Sequence, residues 1–107
     1  MTVFNKEVKE IDLGGGVSRK ILSHGGGMMA VEVSFKKGSV GALHTHPHEQ
    51  ISYVIEGSFE YIESGEKVVI KKGDTYYIGP NVEHGVVALE DGKLMDVFTP
   101  QREDFLK

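Results

Sequence analysis

Gly38-Ser39-Val40-Gly41-Ala42-Leu43-His44-Thr45-His46-Pro47-His48-Glu49-Gln50 is the stretch on which the reading of this chain turns. Residues two apart on a strand share a face, so a strand running through it points His44 and His46 the same way. Imidazole nitrogen is the commonest protein ligand for divalent transition metals. Gln50 closes the stretch, and Gly79-Pro80-Asn81-Val82-Glu83-His84-Gly85 supplies a further histidine downstream. If His44, His46, Gln50 and His84 converge, the chain holds a divalent metal and its chemistry is Lewis-acid or redox. The plain alternative is a pair of surface histidines on a loop edge.

Around this stretch the chain reads as short strands. Among its 107 residues are 14 glycines and 3 prolines, and the glycines punctuate segments rich in Val, Ile, Tyr and Phe. Many short strands and tight turns leave that signature. Candidate strands are 7–13, 17–22, 28–35, 49–56, 58–63, 67–71, 75–78, 83–89 and 94–99. Glu56-Gly57 and Ser64-Gly65 are turn sites, and Asp91-Gly92 is a strong hairpin signal. No stretch of helical period stands out. Only the tail from Gln101 to Lys107 is suited to a short helical turn. The expected fold is therefore all-β, a sandwich or a closed barrel that protects its strand edges. No linker divides residues 1–107, and the length suits one domain.

Composition excludes several function classes. The net charge is −4 with no Lys/Arg cluster, which argues against nucleic acid or an anionic membrane as partner. No cysteine is present, so neither a disulfide nor a thiolate nucleophile is available. No secretory signal and no membrane-spanning run is visible, and a cytoplasmic protein is the simplest expectation.

With both blocks in view, the sequence resembles the cupin superfamily. Its first motif is a glycine, HxH, a glutamate a few residues on and a second glycine, matched here by Gly38, His44, His46, Gln50 and Gly57. Its second is matched by Gly73, Pro80 and His84. The resemblance implies a single-domain jelly-roll barrel, the double-stranded β-helix, with a metal held by His44, His46, Gln50 and His84. Three departures stand out. Gln50 replaces the usual glutamate, Gly79 and Asn81 replace the residues flanking Pro80, and Ala88 stands where asparagine is frequent. The metal itself is left open among Zn, Ni, Fe, Co and Mn. His48 follows Pro47, which breaks the strand, and reads as a rim residue. His24, beside Gly25-Gly26-Gly27, reads as a solvated turn residue.

Gln50 changes the electrostatics. A glutamate would neutralise one unit of a divalent cation's charge, whereas glutamine offers a neutral carbonyl oxygen. The full charge is left to attract an anionic ligand and polarise its oxygens. This tilts the reading toward Lewis-acid chemistry on an acid and away from oxidation.

The C-terminal stretch Leu94-Met95-Asp96-Val97-Phe98-Thr99-Pro100-Gln101-Arg102 adds further candidates. Leu94, Asp96 and Phe98 share one strand face. Asp96 is either an inward carboxylate with a purpose or one of three solvent-facing residues. Arg102 either folds over the barrel mouth or pairs with Glu103 or Asp104 at the surface. Arg19 is either a cavity cation or a strand-edge charge.

The stretches 42–54, 80–88 and 96–105 also resemble the KdgF family of pectin-degradation cupins, including the unusual glutamine. That likeness implies metal-dependent ring opening of 4,5-unsaturated monouronates from pectin or alginate to the linear 5-keto-4-deoxyuronate. It implies Asp96, Phe98 and Arg102 as catalytic residues and a small anionic sugar as the partner. By analogy with cupins, a homodimer is expected. Two other readings remain: a non-catalytic cupin that binds a sugar acid, and a small dioxygenase of quercetinase type.

Overall fold

The computed structural model describes all 107 residues, in ten strands. They are β1 (Ile11–Gly14), β2 (Val17–Gly25), β3 (Met28–Phe35), β4 (Val40–His44), β5 (Glu49–Glu56), β6 (Ser58–Glu63), β7 (Glu66–Lys71), β8 (Thr75–Ile78), β9 (His84–Ala88) and β10 (Gly92–Thr99). All pairings are antiparallel. One sheet runs β1-β2-β3-β10-β5-β8 and the other β4-β9-β6-β7. The fold is the expected all-β jelly roll. No helix is long and apolar enough to cross a membrane.

Alternation fixes which way each strand faces. In β5, Gln50, Ser52 and Val54 are buried while Ile51 and Tyr53 are exposed. In β6, Phe59 and Tyr61 point inward. The core forms where the two inner faces meet: Phe35, Val54, Ile78 and Leu94 of the larger sheet pack with Phe59, Tyr61, Ile70, Val86 and Ala88 of the smaller. Phe35 and Phe59 meet edge to face at 5.2 Å. A second cluster, Met29, Val31 and Phe98, sits beneath β2 and the tail.

β10 answers why a carboxylate enters the interior. Leu94 and Phe98 are 2% and 3% exposed, and each contributes roughly 1.5–3 kcal/mol by burial. Asp96 lies between them on the same face. Burying a polar group without a partner costs on the order of 1–3 kcal/mol, and a charge more, but Asp96 accepts a hydrogen bond from Ser52, so burial of the two neighbours sets the orientation and carries it inward.

Several expectations need correction. Residues 40–44 form β4, which was not among the candidate strand ranges and stops short of His46. The first strand covers only Ile11–Gly14, and Asn5–Glu7 is a 3-10 turn. Ser64-Gly65 is a two-residue hairpin turn with φ of 49° and 84°, which matches the twist of β6 and β7. Asp91-Gly92 is not a hairpin: it carries the chain from β9 in one sheet to β10 in the other. Gly92 is there for space. A Cβ on it would lie 2.7 Å from the Glu56 carbonyl and 2.9 Å from the Phe59 ring. The Asp91 carboxylate accepts the Lys37 N–H at 2.8 Å. The tail forms the expected short turn, Glu103–Leu106. His24 is not a solvated turn residue; it is half-buried on β2, with Nδ1 2.9 Å from Gln101 Oε1.

Candidate metal centre

His44 ends β4 and His84 begins β9, and the two are cross-strand partners in the smaller sheet. His46 lies beyond the end of β4, so the pair does not come from one strand as expected. The Asn81 N–H donates to the His46 carbonyl at 2.8 Å and ties this loop to the turn before His84. Gln50 comes from β5 in the other sheet. One nitrogen from each of His44, His46 and His84 lies within 4.8 Å of the others. His44 is exposed at the rim; His46, His84 and Gln50 are buried.

The hydrogen bonds settle which nitrogens carry protons. His44 Nδ1 donates to the Ala42 carbonyl at 2.8 Å, His46 Nδ1 to the His48 carbonyl at 3.1 Å, and His84 Nδ1 to the Val82 carbonyl at 2.9 Å. A carbonyl only accepts, so each proton sits on Nδ1 and each neutral ring keeps a lone pair on Nε2. Burial keeps His46 and His84 neutral by lowering their pKa, that of His84 to about 4. His84 Nε2 is buried without a partner. His46 Nε2 lies 2.9 Å from Gln50 Oε1, an approach of two lone-pair atoms. Three imidazole nitrogens and an amide oxygen that converge without a proton between them are a donor set for a cation, and three histidines with one oxygen suit a divalent transition metal.

Asp96, Phe98, Gln50 and Arg102 line the same cavity of about 360 Å³ as His44 and His84. The sheet register accounts for this. Asp96, Ser52 and Tyr76 are partners across β10, β5 and β8, and Phe98, Gln50 and Ile78 form the next inward-facing row. Gln50 Nε2 donates to Ser52 Oγ at 2.8 Å, and Ser52 Oγ donates to Asp96 Oδ1 at 2.6 Å. Burial pushes the Asp96 carboxyl up to about 6, with the Ser52 and Gln50 hydrogen bonds opposing. Burial also pushes the Tyr76 hydroxyl well above its usual range, and the Asp96 charge adds to it.

Both arginines reach the cavity. Arg102 donates to Asp104 from Nε at 3.0 Å and from Nη2 at 2.9 Å. Its guanidinium also lies 4.2 Å from the Phe105 ring centre and 5.1 Å from that of Phe98. The two alternatives for Arg102 thus hold together. Arg19 is a cavity cation: it lies 3.7 Å from the Phe105 ring centre, and its buried Nε has no partner. His48 is a half-buried rim residue whose ring packs 6.3 Å from Phe98. Sequence reasoning missed Ser52, Tyr76 and Phe105. Ser52 was within reach of it, being two residues from Gln50 on an alternating strand. A second depression, around the start of β10, is lined mostly by glycines and mixed charges and gathers no comparable donor set.

Comparisons with known proteins agree with this fold. Residues 31–98 match the cupin domain family. The pectin degradation protein KdgF of Dickeya dadantii is 48% identical over 97 residues, which cover 89% of this chain and 88% of that protein. The structure of KdgF from a Halomonas species superposes with a TM-score of 0.94 at 40% identity, covering 98% of this chain and 97% of that one. An RmlC-like cupin from Shewanella frigidimarina gives 0.94 at 40% identity, over 97% and 94% of the two chains. The family match and a relative this similar along most of both chains lead to one conclusion: the chain belongs to the cupin family, in the group of the pectin degradation protein KdgF.

Proposed function

We propose that this chain opens the ring of 4,5-unsaturated monouronates, of the kind released from pectin or alginate, to give the linear 5-keto-4-deoxyuronate. The observation that carries this reading is Asp96, a carboxylate inside the barrel bonded through Ser52 to Gln50 and facing the histidines' cavity. A protein that only binds an acid needs the cations there and has no use for a carboxylate beside them. Kinship with a pectin degradation protein supports the substrate class.

His44, His46, His84 and Gln50 are the residues that would hold one divalent transition metal. When bound, such an ion supplies Lewis-acid polarisation of a substrate oxygen. Its four neutral ligands leave its charge uncompensated, which favours an anionic substrate and disfavours a ferric state. The remaining work falls to the chain. Arg19 and Arg102 pair with the substrate carboxylate, and Phe98 packs on the sugar ring. Asp96 removes the proton of the anomeric hydroxyl. The C1 carbonyl forms as the bond from C1 to the ring oxygen breaks, and that electron pair leaves an enolate at C5. Asp96 returns the proton to C4, which becomes CH2 as C5 becomes the ketone. No atom is gained or lost, and no oxidant is needed.

Ultraviolet absorbance of the conjugated double bond tests this directly. It should decay with cation-loaded protein and persist with chelated protein; persistence with both would overturn the reading. Asp96→Asn keeps an acceptor for Ser52, so it should retain the cation while turnover falls about 10²–10⁴-fold. Near-parent turnover in that variant removes Asp96 from the chemistry.

A further inference from the structure

Ser52 is fully buried between two groups with different needs. A serine hydroxyl has one proton to give and lone pairs to accept with. An ionised carboxylate only accepts, so the Ser52 proton goes to Asp96 Oδ1, 2.6 Å away. What Ser52 has left to offer Gln50 is a lone pair. The Gln50 side of this contact, at 2.8 Å, is therefore the amide nitrogen. An amide that points its nitrogen at Ser52 points its oxygen away, here to within 2.9 Å of His46 Nε2. In the opposite orientation the N–H groups would face the imidazole lone pairs, and Gln50 would offer a cation no donor.

We propose that Ser52 is a positioning residue that sets the direction of the Gln50 amide, making Gln50 an oxygen ligand, and that holds Asp96 in the same chain of bonds. Its catalytic half rests on the ring-opening reading, whereas its metal half does not. Side chains that orient a ligand typically change metal affinity or activity about 10–100-fold when removed.

The test is a double-mutant cycle read by Co²⁺ affinity, measured by competition against a chelator, and by the visible Co²⁺ spectrum. Ser52→Ala should weaken Co²⁺ binding about tenfold or more and alter the spectrum. In a Gln50→Glu background both side-chain ends are oxygens, so there is no amide direction to set. There Ser52→Ala should cost no more than about threefold, and that difference is the coupling the cycle isolates. Equal losses in the two backgrounds, or no loss in either, overturn the proposal, because a serine that only fills space acts alike in both. Ser52→Thr and Ser52→Val repeat the comparison at equal shape should Ser52→Ala unfold; the threonine variant should keep the affinity and the valine variant lose it. Turnover of an unsaturated uronate is read alongside. A parent protein without turnover would sink ring opening and leave the Co²⁺ cycle to decide the role of Ser52.

Discussion

His84 and Asp96 illustrate how burial moves two groups in opposite directions inside one cavity. Burial takes the imidazole down to about 4 and the carboxyl up to about 6. The signs for stability follow by linkage. A buried neutral histidine stabilises the metal-free fold above the pKa of its unfolded form, and this is lost as pH falls toward 4. The Asp96 shift runs the other way: it favours the fold at low pH, and that contribution disappears as pH rises through 6. In the parent the two partly cancel between pH 6.5 and 4. Metal-free Asp96→Asn should therefore lose stability more steeply on acidification across that window than the parent does. Denaturant unfolding at a series of pH values measures both slopes, and a steeper parent would refute the assignment. At this scale the converging histidines were legible, because the HxH frame marks two of them chemically. Ser52 carries no such chemical mark, and only its place two residues from Gln50 on an alternating strand pointed to it. His24 was misread because a run of glycines hid the partner it finds in Gln101, far along the chain.

Among the elements, β4 and β9 bring His44 and His84 together, and Gly85 lets them do so. A Cβ on Gly85 would lie 2.7 Å from the Gly41 carbonyl and 3.1 Å from the Leu43 amide nitrogen, both of them backbone atoms that cannot step aside alone. Gly85→Ala should force the strands apart beside the His44–His84 pair. The expected result is a loss of about 1–3 kcal/mol, or roughly 5–15 °C in melting temperature, without removal of any ligand atom. Cation affinity should fall with it, whereas a variant that melts lower and binds as tightly as the parent would show the pair to be insensitive to strand spacing. The strands with clear alternation, β5 and β6, were readable from period alone. β4 was not, because Gly41 and Ala42 give it no apolar alternation and its exposed Val40 and Leu43 offer no buried face. Asp91-Gly92 misled because the glycine answers a close contact between sheets, a cause invisible to local turn chemistry.

Taken whole, the molecule gathers its donors from both layers: His44 and His84 from the four-stranded sheet, His46 from the loop between layers, and Gln50 from the six-stranded sheet. A ligand that binds only the folded state stabilises it by about 2.7 kcal/mol at a hundredfold excess over its dissociation constant. For a domain of this size that is on the order of 10 °C. Thermal scans with and without a chelator should show such a gap in the parent and close it in His84→Ala; an equal gap in both would place the cation elsewhere. A cation held there would act as a rivet through two plates. Filling the site and fastening the layers would then be a single event, and a sequence weakened elsewhere in its core would regain firmness from the same ion.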